Sequence, residues 1–132
     1  MSSVFSSALS GLNAAIARVA NSATNIANAS SRGTLPETTG ESSTAFEPRD
    51  VVNLTTNTGE VRTTTVARTP SYNPMYAPSD PDANEDGLVA EPNVDLASEM
   101  TDLLLAEIAY KANARVIKAE QERQKTTLDT LT

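Results

Sequence analysis

The most suggestive chemistry in the chain lies in Asp82-Ala83-Asn84-Glu85-Asp86-Gly87, where oxygen-bearing side chains alternate and a glycine closes the run. The run matches the first six positions of a calcium-binding EF-hand loop, and Val89 supplies the apolar residue two positions after the glycine. Such a loop needs a bidentate glutamate at its twelfth position. Here that position is Asn93, Pro92 stands before it, and no helix leads in. The reading is therefore a solvated turn closed by Asx side chains, with EDTA expected to change neither stability nor assembly. Carboxylates also neighbour one another at Glu85 and Asp86 and at Glu99 and Asp102, but acid–base catalysis needs a pocket that separates their proton affinities, and nothing in the pattern frames one. Glu120 and Glu122 beside Arg123 and Lys125 read as a solvated helix face. With no His and no Cys, the chain has no imidazole base, thiol nucleophile, disulfide or soft zinc ligand, and its Ser and Thr residues lack a histidine partner. No catalytic residue, cofactor or metal site is expected, and the chain is not expected to be an enzyme.

The elements that would position any site are built from few core formers. Leu, Ile, Val and Phe make up 26 of the 132 residues, and Ala, Thr and Ser supply the bulk, so a densely packed globule is hard to assemble from this inventory. The net charge of −7, with ten basic residues against seventeen acidic ones, argues against nucleic acid as a partner. No stretch approaches the roughly 20 apolar residues of a membrane-spanning helix, and the Ala- and Leu-rich start lacks the charged lead of a cleaved secretory signal.

All seven prolines lie between positions 36 and 92, which divides the chain into a proline-free head (1–35), a proline-bearing acidic middle (36–92) and a proline-free tail (93–132). Long helices fit only the two ends. In the head, Phe5, Leu9, Leu12, Ile16, Val19, Ala23 and Ile26 follow at alternating steps of four and three, a heptad seam on a helix of about 3–29. Ser2 or Ser3 can cap its start, and Gly33 lies where it would stop. The tail repeats the logic over about 94–130 with Leu96, Met100, Leu103, Tyr110, Ala114, Ile117, Leu128 and Leu131, while Leu104, Leu105 and Ile108 widen its apolar surface. Asp95 is placed to cap that helix. In the middle, Val- and Thr-rich runs at 50–56 and 60–68 flank Asn57-Thr58-Gly59 and predict a β-hairpin. Prolines are too frequent from 70 to 92 for either regular element, so an extended connector is expected there. The fold class is thus mainly α, with the two terminal helices pairing as a coiled-coil hairpin and forming one domain, and a short β-hairpin and proline-rich connector between them. Two helices bury too little area to stabilise this many ordered residues alone, which favours assembly with other copies.

Two stretches resemble a known family. Ala8-Leu9-Ser10-Gly11-Leu12 followed by Asn25-Ile26-Ala27-Asn28-Ala29 resembles the N-terminal signature of bacterial flagellar axial proteins. Pro92-Asn93-Val94-Asp95-Leu96, Glu99-Met100 and Ala109-Tyr110-Lys111-Ala112-Asn113 resemble their C-terminal signature. Asp82-Ala83-Asn84 and Gly87-Leu88-Val89 just ahead of the second stretch, with the total length, are most similar to the proximal-rod members of the basal-body rod family. The resemblance implies a non-enzymatic subunit of the flagellar rod that is exported through the flagellar type III apparatus without a cleaved signal and polymerises helically in the periplasm with its own copies and other rod proteins. It also brings Asn25, Asn28 and Asn113 into the expected assembly interface, beside Phe5, Leu9, Leu12, Ile16, Val19 and Ile26 of the head and Leu96, Met100, Leu103, Tyr110 and Ile117 of the tail. The competing class is a soluble helical adaptor or export chaperone that binds a partner's helix in a groove; it expects a folded, helical monomer or dimer.

Overall fold

The computed structural model describes residues 3–36 and 43–130; Ser2 and Leu131, named above as cap and seam residues, lie outside them. The elements run α1 (Ser3–Ala27), β1 (Arg49–Thr55), β2 (Val61–Ala67), β3 (Tyr72–Tyr76), β4 (Leu88–Pro92) and α2 (Leu96–Asp129). At 1.5 Å per residue α1 is about 38 Å long and α2 about 51 Å. The described residues form two compact units. One is drawn from α1 up to Ala20, from Val51–Thr64 and from α2 from Thr101 onward; the other consists of Asn21–Asp50 and Thr65–Met100.

Both helices end close to where the spacing places them. Asp95 caps α2: its Oδ1 accepts the Ala97 N–H at 2.9 Å, satisfying a donor that the first turn leaves free. Asn28 closes α1 by donating from Nδ2 to the Thr24 carbonyl at 2.9 Å. The β1–β2 hairpin also forms where expected, with Thr56 N–H on the Glu60 carbonyl at 2.8 Å and Gly59 at a φ of +79° in the turn.

Two expectations are corrected. Between 70 and 92 the prolines do not exclude a regular element, because β3 and β4 pair antiparallel, Tyr72 opposite Pro92 and Tyr76 opposite Leu88. The pairing tolerates its prolines because of where they fall. Ala90 directs both its N–H and its carbonyl to Gly33, at 2.9 and 3.1 Å, so they point away from β3. Pro74, opposite Ala90, therefore sits at a non-hydrogen-bonded position and its missing N–H faces the outer edge. Gly33, in turn, does not stop the helix, which ends at Ala27; it bridges to β4 at Ala90. A Cβ at Gly33 would lie 2.2 Å from the Ala45 nitrogen, so the close backbone approach excludes any side chain.

Candidate functional site

The inward stripes of the two helices are the first part of the site. On α1 the buried positions include Ala8, Ala15, Ser22 and Asn25, with half-buried Gly11 and Arg18 completing a heptad spacing. On α2, Glu99, Ala106 and Glu120 are buried and Asn113 is half-buried, four positions at intervals of seven. Each stripe lies one residue before the large apolar seam read from the sequence. Small and polar residues thus turn inward, and the bulky aliphatic ones turn out. Of the expected interface residues, Leu9, Ile16, Val19, Leu96, Met100 and Tyr110 are exposed, Ile16 at 53% and Met100 at 63%. Phe5, Leu12, Ile26, Leu103 and Ile117 are half-buried. Leu104, Leu105 and Ile108 add to the outward surface of α2, giving an apolar row at 96, 100, 104 and 108.

Within the first unit, close approach of the helices is visible at Gly11. A Cβ there would stand 2.7 Å from Asn113 Oδ1 and 2.8 Å from its Nδ2. The Asn113 amide is held over the glycine by donating to the Ala109 carbonyl at 2.9 Å. The hairpin joins through Val61, whose N–H donates to Ser10 Oγ at 3.0 Å. On α2, Glu120 accepts from the Arg123 guanidinium at 2.8 Å, which raises the pKa of Arg123 by that hydrogen bond and the charge beside it.

The second unit holds a polar cluster built on three of the quoted motif residues. Asn25 binds the backbone of Arg49 on both sides, donating to its carbonyl at 2.9 Å and accepting its N–H at 3.2 Å. The same Asn25 Nδ2 reaches Glu99 Oε1 at 2.9 Å. Glu99 is only 2% exposed, and its compensating charge comes from Arg68, just past β2, whose Nη2 lies 2.9 Å from the same oxygen. Arg68 also grips Asp50 from Nη2 at 2.5 Å and from Nε at 3.1 Å, and donates from Nη1 to the Asn93 carbonyl at 2.9 Å. The hydrogen bond to Asp50, more than the one to Glu99, holds the Arg68 guanidinium above its ordinary value. Asn93 fastens the segment leading into β3 by donating to the Pro70 carbonyl at 2.9 Å. The cluster therefore ties the end of α1, the base of the hairpin and the start of α2 by charge-assisted bonds. Chemically it can bind and orient its own segments, since Glu99 Oε1 and both Asp50 oxygens already accept from Asn25 or Arg68.

The motif resemblance marks Asn25 and Asn113 as interface residues and includes Gly11 and Glu99 without a pairing role, while it gives Arg68 and Asp50 no part in a site. The available signal was the interval of seven linking 99, 106, 113 and 120, which marks a face more faithfully than residue size does. The Asp82–Gly87 run folds as a turn around Asn84, whose Oδ1 accepts the N–H groups of Asp86 at 3.1 Å and Leu88 at 2.9 Å. Gly87 supplies the positive φ of +72° that this turn requires. Among the described residues no helix is long and apolar enough to cross a membrane.

Residues 85–130 match the family described as flagellar basal body rod FlgEFG protein C-terminal. The chain is 46% identical over 48 residues to the flagellar basal-body rod protein FlgC of Bacillus subtilis (strain 168), covering 36% of this chain and 32% of that relative. It is 32% identical over 57 residues to the flagellar basal-body rod protein FlgC of Aquifex aeolicus (strain VF5), covering 43% of this chain and 42% of the relative. The matches thus span 32% and 42% of these two curated relatives' lengths, less than half in each case.

Proposed function

We propose that this chain, which is similar over residues 85–130 to flagellar basal-body rod proteins, is a structural subunit of the rod that polymerises helically and transmits torque through side-by-side helix packing. The observation that carries the reading is the orientation of the helices. Their small residues face inward and their large aliphatic residues face out, which leaves Leu9, Ile16, Val19, Met100, Leu104 and Ile108 to be buried by other subunits. Small residues along the inner stripes let helix backbones approach closely, and close packing over tens of ångströms gives the stiffness that torque demands. The partners are other copies of the chain and other rod proteins, with the flagellar export apparatus acting before assembly; the location is the basal body, in its periplasmic rod. The chain has no catalytic role in this reading.

The test is complementation of a strain lacking the protein with Leu12→Asp, Met100→Glu and Leu103→Asp variants. Each places a charge in a surface that assembly buries, at a cost of several kcal/mol. Loss of motility, with the variant absent from purified basal bodies, is the expected result. Normal swimming by all three, with the purified chain a stable helical monomer, would favour the adaptor class instead.

A further inference from the structure

Heptad spacing lets long helices pair, and it also makes the pairing ambiguous, because a shift of seven residues returns equivalent positions to the same face. The inward stripe of α1 is small at nearly every step, so apolar packing does little to choose among shifted registers. Two side-chain contacts differ in this respect, one a steric fit and one a hydrogen bond. In the first unit Asn113 lies against Gly11; in the second Asn25 donates to Glu99. In each pair the two residue numbers add to 124. We propose that these two contacts are specificity-determining: each, within its own unit, selects the antiparallel register seen there over the heptad-shifted alternatives. Gly11 is the only glycine of α1, and a Cβ at that point already comes within 2.7 Å of the Asn113 amide. Shifts of seven in either direction bring Asn113 to Val4 or Arg18, where no such space exists. The same shifts bring Asn25 to Ala106 or Pro92, neither of which carries a side-chain acceptor, and they separate it from Glu99. The inference does not depend on the rod reading, since it concerns pairing inside one chain.

The chain contains no cysteine, so introduced thiols report without background. Ala8 and Val116 line one recess in the first unit, and their numbers also add to 124. Ala15 with Val116 adds to 131 and marks a slip of one heptad. Full-length A8C/V116C and A15C/V116C chains are oxidised at low concentration, and intrachain disulfide formation is followed by non-reducing gel mobility. The native-register pair is expected to close at least about tenfold faster, as one hydrogen bond to a carboxylate kept and one steric clash avoided imply. Placing N25A/N113A behind both pairs should bring the two rates within about twofold with the helical circular dichroism retained. Equal rates without these substitutions, or a preference unchanged by them, would overturn the proposal. Equal rates accompanied by loss of helix would overturn it too, because the contacts would then stabilise the fold in general rather than choose its register. As a second variant, G11N/N113G moves the asparagine to α1 and keeps one amide over one glycine in the same register, so the preference should survive; its loss counts against the mechanism.

Discussion

Replacing Arg68 by Met keeps the length of the stem and removes the guanidinium. Glu99, 2% exposed, is then left with the Asn25 amide and no positive charge. Removing one partner of a buried ion pair costs about 3 to 5 kcal/mol. The Asp50 arm adds little, since that carboxylate is 48% exposed and pairs at such sites are worth under about 1 kcal/mol. The expected loss for R68M is therefore about 3 kcal/mol. The partner variant E99Q keeps an oxygen for Asn25 and should cost about 1 kcal/mol. In the double variant R68M/E99Q no charge is stranded, so it should be more stable than R68M alone by about 2 kcal/mol. Urea unfolding of the full chain, followed by far-UV circular dichroism at pH 7, measures all four members of the cycle. An R68M chain within about 0.5 kcal/mol of the parent, or a double variant no better than R68M, would refute the assignment of Arg68 as the charge that permits Glu99 to be buried.

Gly33→Ala puts a Cβ against the backbone of Ala45 and should cost at least about 2 kcal/mol, seen as a lowered melting temperature. Asn84→Ala removes the acceptor of two turn amides and should lose about 1 kcal/mol, while millimolar calcium or EDTA leaves the melting temperature of the parent chain unchanged. Asp95→Ala strips the cap of α2 and should cost about 1 kcal/mol, with Asp95→Asn retaining most of it; the same urea titration reads both.

The spacing of apolar residues made both long helices legible, together with the hairpin and its Asn57-Thr58-Gly59 turn, because each depends on short-range periodicity or on turn chemistry. Which face turns inward was less legible. Ranking positions by size selects Leu9, Ile16 and Met100, whereas close helix approach favours Ala8, Ala15 and Gly11 one position earlier. A chain that presents a second apolar face defeats the rule that the largest residues lie inside. The β3–β4 pair was hidden by its prolines, whose tolerance depends on the Gly33–Ala90 bridge, formed by residues 57 positions apart. The Glu99 cluster was hidden for a similar reason, since Arg68 and Asn25 come from distant segments and neither has a local pattern that announces the other.

The position of Pro74 also bears on how copies of this chain can adhere. An uncovered strand edge is a template on which foreign strands add and amyloid grows. At the centre of the outer edge of β3 the template has a gap, because the one residue aimed outward there has no hydrogen to donate. Strand-by-strand extension is blocked on that edge, so a chain crowded among its own copies is steered away from fibril growth at β3, and helix faces are left as the productive route to contact.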